Sequence, residues 1–326
     1  MTFRHFLSWK PLFYDGLIPT LRFLGPERAD NLIGALGRTV AMWPPRRKEL
    51  SLALKRAADR LDADWDLGEV LPRLEANIPR FLARDSLLDG AKESDFFARF
   101  DVSGFEHLQE ALARGRGVIL IGCHLGAHLS APHWLYRQGV ALRMLIQRPA
   151  HVSKLLNARF DEADGPHPQA GFFLRRRLTP EEASKRIFRT RAALRDGLVV
   201  YLKGDVPWEG ANTRPGRLMG FDRTFQSLWA DFAALFRAPV VAVFCTHLPG
   251  GRYALTFDPS WNVERGREGE AVARYLARLQ EEILAHPADA VGHLLWPCYN
   301  DEPRPPRNAA EATAGGDPPA APRLSA

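Results

Sequence analysis

Short apolar runs in the second half of the chain have the pattern of buried β-strands. Several of them are rich in β-branched residues and bounded by Gly or Pro. Runs in which apolar residues follow one another, rather than alternating with polar ones, are typical of central strands that are covered on both faces. The predicted strands are Gly117–Gly122, Leu142–Ile146, Leu198–Lys203, Pro239–Thr246 and Tyr253–Phe257.

Helix-like segments alternate with these strands. A Pro-Gly-Gly-Arg turn precedes Tyr253–Phe257, which indicates a hairpin with the preceding strand. Thr224 stands where it can cap one of the helices. The predicted helices are Phe105–Ala113, Leu125–Gln138, Pro180–Leu194, Phe225–Phe236 and Ala271–Ala285. This alternation predicts an α/β fold with a central mixed sheet flanked by helices.

The N-terminal part of the chain has a helical pattern. From Pro45 to about Leu88, apolar residues recur near helical spacing. Residues 1–44 are apolar and aromatic with interspersed Arg and Lys, which suits an amphipathic segment lying in the headgroup region of a membrane. A helix packed on the protein's own core explains the pattern equally well. No stretch reaches the roughly 18 uncharged apolar residues of a membrane span, and no secretory signal is recognisable.

The end of the chain has a different composition. Residues 301–326 are rich in Pro, Ala, Gly and Arg, so they can bury little apolar surface and are expected to be a disordered tail. A chain of 326 residues with 46% hydrophobic content fits one large domain better than two small ones. We therefore predict an N-terminal membrane-associating segment over 1–44, an α/β domain over 45–300 and a tail over 301–326.

The charge of the chain favours an anionic partner. The formal net charge is +6, and the span between Ala111 and Phe160 contains many arginines but no acidic residue. Arg175, Arg176 and Arg177 follow soon after it. This basic face favours an anionic membrane surface or an acidic acyl carrier protein, and no motif indicates nucleic acid. The three cysteines have no paired spacing, which predicts neither a disulfide framework nor a zinc site.

His124 is the main candidate for chemistry. It follows the first predicted strand, at the carboxyl edge of the sheet where ligand sites of α/β folds gather, and a histidine there can act as a general base. The competing interpretation is a structural histidine at a helix start. His124 and His128 also have an H-x-x-x-H spacing, but Leu125 replaces the glutamate that zinc proteases need, so no metal is expected. Cys123 is interpreted as a buried strand-end residue rather than a nucleophile.

The order of several short motifs resembles the lysophospholipid acyltransferase superfamily, and specifically the late acyltransferases of lipid A biosynthesis. The resemblance covers about Pro45 to Pro297. The family carries a histidine after a strand of this type, followed by four residues and then Asp or Glu, and His124 matches that histidine. The other matches are Arg148-Pro149, the acid after the strand YLKGD (Asp205), Gly220, the strand from Ala238 to Val241, and Trp296 in HLLWP.

The sequence departs from the family at the acid of this motif. Leu129 stands where the family has its carboxylate, and no Asp or Glu lies nearby. Three explanations are open. Asp205 or, as a second choice, Glu209 supplies the acid from another segment; His128 acts as the orienting partner; or the protein has lost the chemistry and kept binding.

The resemblance implies direct acyl transfer. Histidine takes a proton from an acceptor hydroxyl or amine as it attacks a thioester carbonyl, while a carboxylate orients the imidazole. The implied donor is an acyl carrier protein or acyl-coenzyme A thioester, the acceptor is a lipid or glycolipid, and no cofactor is needed. The implied location is the cytoplasmic side of the inner membrane, as a peripheral protein. A catalytically silent lipid- or carrier-binding protein on the same fold is the alternative.

Four residues are predicted to bind substrate: Arg148, by its position in the family pattern, His128, Glu209 and Arg214. The segment GDVPWEGANTR resembles the Glu-Gly-Thr-Arg block of glycerolipid relatives, where a carboxylate or arginine can meet phosphate or hydroxyl groups. A loop that merely turns the chain accounts for the same composition.

Overall fold

The computed structural model describes residues 11–41, 44–174, 179–210 and 212–295. Its strands are β1 (Phe100–Ser103), β2 (Val118–Gly122), β3 (Leu142–Met144), β4 (Val199–Lys203), β5 (Thr213–Leu218), β6 (Phe221–Gln226), β7 (Val240–Leu248) and β8 (Arg252–Phe257). Six of them form one sheet in the order β1-β8-β7-β2-β4-β3, and β5 pairs with β6 in a separate hairpin. Trp296, Arg175 to Arg177 and the tail lie outside the described residues.

The described helices are α1 (Ile18–Arg22), α2 (Pro26–Leu36), α3 (Pro44–Leu61), α4 (Leu67–Ala83), α5 (Glu93–Phe97), α6 (Phe105–Ala113), α7 (Ser130–Arg137), α8 (Lys154–Phe160), α9 (Pro180–Arg195), α10 (Leu228–Phe236), α11 (Glu268–Ala285) and α12 (Val291–Leu295). Short π- or 3₁₀-helical turns lie at Leu12–Leu17, Gly37–Ala41, Ser86–Leu88, Gln169–Phe172 and Pro287–Asp289.

The predicted mixed α/β sheet is confirmed. Strands β3, β4, β2 and β7 run parallel to one another, while β8 is antiparallel to β7 and parallel to β1. The hairpin expected from the Pro-Gly-Gly-Arg turn is the β7–β8 pair. Sequence patterning missed β1 and the β5–β6 hairpin, because their strands are short, largely exposed and, in β5, interrupted by Pro215 and Gly216.

Two predicted helices begin later than expected. Leu125 to Leu129 precede α7 as turns, in which Gly126 has a φ of 51° and Ala127 N–H donates to the carbonyl of Cys245. The prediction that Thr224 caps α10 is wrong, because Thr224 belongs to β6 and its hydroxyl donates to the carbonyl of Trp208. Both errors come from long-range hydrogen bonds that local patterns do not reveal.

The sheet is covered on both faces. Alternate residues of β2 and β4 face opposite clusters, so that each face receives one apolar set. Ile119, Ile121, Val200 and Leu202 pack with residues of α10 and α11 such as Trp229, Tyr275 and Leu276. Val118, Leu120, Val199 and Tyr201 pack with residues of α6 and α7 such as Leu108, Trp134 and Leu135.

The described N-terminal residues pack on the domain and also expose apolar side chains. Ile18, Leu21 and Ile33 are buried against the end of α4, and Arg80 of α4 pairs with Asp30 of α2 through hydrogen bonds of 2.7 Å. The exposed set comprises Leu12, Phe23, Leu24 and Leu32. Within the described ranges, no helix combines the length and the apolar character needed to cross a bilayer.

Candidate active site

The register of two parallel strands brings His124 and Asp205 together. Strand β2 pairs with β4 so that Gly122 lies opposite Lys203. His124 follows Gly122 by two residues, and Asp205 follows Lys203 by two residues. The two side chains therefore lie next to each other at the carboxyl edge of the sheet. This edge is where the crevices of α/β sheets lie.

The imidazole of His124 is held by the carboxylate of Asp205. His124 Nδ1 lies 3.0 Å from Asp205 Oδ1, and the backbone N–H of His124 donates to Oδ2 at 2.6 Å. The Asp205 side chain is fully buried, whereas 21% of the His124 side chain is exposed. The carboxylate therefore fixes the ring by its Nδ1 side while the imidazole keeps access to the surface.

A second histidine contacts the same carboxylate. His293 Nε2, in α12, lies 2.9 Å from Asp205 Oδ2. The sequence does not point to this role, because His293 has no partner pattern around it. The one available signal was its place at the start of HLLWP, a segment that resembles the family.

Charge and burial oppose each other at this pair. Burial of the Asp205 carboxyl disfavours its ionised form, yet the charges and hydrogen bonds of His124 and His293 hold its pKa well below the usual range. Burial lowers the pKa of His124, and the Asp205 carboxylate offsets this only in part. His124 is therefore neutral, and Asp205 ionised, at neutral pH.

Leu129 occupies the family's acid position as a core residue. It is 2% exposed and belongs to the apolar cluster that includes Leu135 and Val243. A carboxylate there would be an unpaired buried charge.

His128 lies beside His124 without orienting it. The two rings are 5.3 Å apart between centroids, but in the described structure no hydrogen bond joins them. Burial, with Lys203 and His124, puts the pKa of His128 well below its ordinary value. Because residues 124–128 form turns rather than a helix, the one-face geometry of an H-x-x-x-H motif is absent at this place. Cys123 is buried, which raises the pKa of its thiol.

The other three predicted substrate-binding residues have no hydrogen bond or ion pair with the His124–Asp205 pair in the described structure. Arg148 pairs with Asp161 at 2.7 Å, and Arg214 pairs with Asp231 at 3.0 Å. Glu209 is exposed at the surface. Among the residues that the structure describes, none of these three is joined to His124 or Asp205 by a hydrogen bond or ion pair.

A narrow recess opens beside the pair. Asp205 and His293 line it together with apolar residues of the β5–β6 hairpin and its approach, and Arg223 contributes a cation. The apolar lining consists of Pro207, Leu218, Met219 and Phe225.

The fold and this site define an α/β protein that presents a histidine–aspartate pair at the carboxyl edge of a mixed sheet. The family model of the bacterial lipid A biosynthesis acyltransferases matches residues 1–290, and the chain belongs to that family. A comparison with curated proteins found no match.

Proposed function

We propose that the protein transfers a fatty acyl group from an acyl carrier protein or coenzyme A thioester to a hydroxyl or amine of a lipid or glycolipid acceptor. His124 is the general base, and Asp205 replaces the acid of the family motif. The contact between His124 Nδ1 and the Asp205 carboxylate carries this proposal. A carboxylate at Nδ1 fixes the tautomer that has its lone pair on Nε2 and stabilises the imidazolium that forms.

The proton path follows from this arrangement. His124 Nε2 takes the acceptor proton as the acceptor oxygen or nitrogen attacks the thioester carbonyl, and the imidazolium returns it to the departing sulfur. Asp205 keeps its charge throughout, because two histidines and a backbone N–H surround its carboxylate.

The surroundings of the pair favour an apolar acyl chain. The recess beside Asp205 is lined mainly by apolar side chains, as expected for a fatty acyl group. Arg223 stands where it can meet an anionic part of donor or acceptor. Arg148, Arg214, Glu209 and His128 remain proposed substrate-binding residues, and for the first two this requires an exchange of their present ion pairs.

We also infer a peripheral location at the cytoplasmic face of the inner membrane. Phe23 is 90% exposed, and Leu12 and Leu32 are also exposed in the N-terminal segment. Such apolar side chains on a basic protein favour an anionic lipid surface.

The test is an assay of purified protein with lauroyl and myristoyl thioesters of carrier protein and coenzyme A. Each donor is paired with an acyl-deficient lipid A precursor and with a lysophospholipid, and the products are separated by mass. We expect transfer to at least one acceptor and its loss in His124→Ala. Inactive wild-type protein that still binds donor or acceptor would instead support the catalytically silent function.

A further inference from the structure

Lys203, the last residue of β4, has an unusual environment for a lysine. It is partly buried, and within the described part of the chain it has neither a hydrogen bond nor an ion pair. An ammonium that is partly removed from water and has no partner opposes folding, so its place beside the site calls for a functional explanation.

The strand geometry directs Lys203 toward the reacting groups. It lies opposite Gly122 on β2, two residues before His124 along that chain and two residues before Asp205 along its own. Because side chains alternate along a strand, Lys203 shares the face of Tyr201, whose hydroxyl donates to the carbonyl of His128 at 3.5 Å. Lys203 thus lies on the sheet face of Tyr201, at the end of the strand pair that leads into His124 and Asp205.

The carboxylates beside Lys203 and Arg84 already accept hydrogen bonds from other groups. Asp205 accepts hydrogen bonds from His124 and His293. Asp85, beside the neighbouring Arg84, accepts from His133 and from the backbone of Ser153.

Arg84 adds a second cation to this place. It follows α4 directly, and its guanidinium donates to the carbonyl of Ala150. Phe81, on the last turn of α4, lies 5.0 Å from the ring of His128. The charges of Lys203 and Arg84 are matched in number by those of Asp205 and Asp85, but the Lys203 ammonium itself has no hydrogen-bonding partner among the described residues and can meet an anion that forms beside it.

We propose that Lys203 is a catalytic residue whose ammonium group stabilises the oxyanion formed on the thioester carbonyl during transfer. This rests on the proposed function. When the acceptor attacks, its oxygen or nitrogen bonds to the carbonyl carbon, the π electrons move to the carbonyl oxygen, and His124 takes the proton. When the carbonyl re-forms, the carbon–sulfur bond breaks and the thiolate takes that proton. The positive charge is in place beforehand, as efficient stabilisation of an oxyanion requires.

Substitutions of Lys203 test the proposal through kinetics. Lys203→Met should lower kcat about 10²- to 10³-fold with KM changed by less than about threefold, while Lys203→Arg retains part of the rate. The matched control is Lys185→Met, at an exposed lysine paired with Glu181 on α9, which should behave as wild type. An unchanged kcat in Lys203→Met would overturn the proposal, and so would a rise confined to KM, which indicates binding of a ground-state anion.

The pH profile supplies an independent readout. Groups that face Lys203 are Asp205 after β4, Cys123, His124 and His128 after β2, and Arg84 after α4. Burial lowers the pKa of Lys203 to about 7, against the opposing effect of Asp205. The rate should therefore fall as pH rises through about 7, and this fall should disappear in Lys203→Arg because arginine does not titrate there. Persistence of the same alkaline fall in Lys203→Arg would contradict the role.

Binding of octylphosphonate, a tetrahedral anion with an alkyl chain, tests the site without catalysis. Calorimetry should show binding to wild type and Lys185→Met, with Kd raised at least about tenfold in Lys203→Met. Equal affinity in Lys203→Met, or no binding to wild type, would refute an anion site at Lys203.

The activity assay distinguishes failure of this inference from failure of the proposed function. If the wild type transfers acyl groups and Lys203→Met does so at the same rate, only the role of Lys203 is refuted. Inactive wild type contradicts the proposed function, and the phosphonate titration still decides whether Lys203 holds the anion.

Discussion

His293 Nε2 lies 2.9 Å from Asp205 Oδ2, the same carboxylate oxygen that accepts the backbone N–H of His124. One buried carboxylate thus joins three parts of the chain: the turn after β2, the loop after β4 and α12. Because α12 is the last helix of the described residues, its contact with Asp205 links that helix to the proposed base.

His293 is predicted to position Asp205. His293→Leu removes a donor from a buried carboxylate, so we expect kcat to fall about tenfold and stability to fall by about 1–3 kcal/mol. His293→Gln, which can still donate, should recover much of both. The control is His286→Leu, at an exposed histidine whose nearest acid, Glu282, is 3.8 Å away. Activity and urea unfolding give the two readouts, and equal activity in the Leu and Gln variants would argue against positioning through a hydrogen bond.

Asp205→Asn should separate the carboxylate's charge from its shape. The NH2 group of asparagine can donate to His124 Nδ1 and so favour the tautomer that has its proton on Nε2, which cannot act as a base. We therefore expect kcat to drop about 10²- to 10⁴-fold, and His124→Ala should reduce transfer at least as much. The wild-type rate should also fall at acid pH as His124 gains a proton, below its ordinary pKa because burial lowers that value. In Asp205→Asn this acid limb should move to still lower pH, since the carboxylate that favours the imidazolium is gone. A shift toward higher pH would contradict the arrangement.

Lys203→Met should make the protein more stable while making it less active. Burial lowers the pKa of Lys203 from 10.5 to about 7, so below about 7 both folded and unfolded chains are protonated and the folded state carries the cost of a partly buried charge. The variant should gain about 1–2 kcal/mol at pH 6 to 7. That gain should shrink as pH rises toward about 10.5, where neither state is charged. Urea titrations across this range, with Lys185→Met alongside, measure the difference; a less stable variant at pH 6 would show that the ammonium is favourably placed.

Arg80 is predicted to hold the N-terminal segment on the domain. Its guanidinium pairs with Asp30 through two hydrogen bonds of 2.7 Å, and both side chains are largely buried. Arg80→Ala leaves the largely buried carboxylate of Asp30 without its cationic partner, so we expect a loss of about 3 kcal/mol in the free energy of unfolding. Arg73→Ala, at an exposed pair with Glu69 on the same helix, should cost less than about 0.5 kcal/mol. Similar effects of both substitutions would mean that α2 does not depend on this pair.

Phe23 is predicted to contact the membrane. Phe23→Ser should weaken binding to anionic vesicles several-fold, since it removes an apolar side chain that is 90% exposed. Leu235→Ser, at a comparably apolar residue that is 47% exposed on α10, serves as the control and should bind as wild type. Vesicle co-sedimentation at low and high salt gives the measurement, and a protein that stays fully in solution at low salt would contradict the peripheral location.

Local sequence patterns were enough to locate five of the six strands of the main sheet. The strands that contain Ile119, Val200 and Val241 are buried on both faces, and apolar runs of that kind are visible without the fold. The exposed hairpin escaped notice because alternation there is weak and Pro215 interrupts it. The segment from Leu125 to Leu129 is predicted as helix but forms turns, because its structure depends on a carbonyl of β7, more than 100 positions away along the chain.

The sequence by itself identified the candidate base and the short set of acids that could serve it, because a histidine after a buried strand and an aspartate after another are local features. Which strands are neighbours, and in what register, is decided by packing across the whole domain. Only the pairing of Gly122 with Lys203 brings Asp205 to His124 and leaves Glu209 at the surface. The contact of His293 with Asp205 likewise depends on how α12 packs against α3 and α4, since a hydrogen bond between residues 88 positions apart has no local signature.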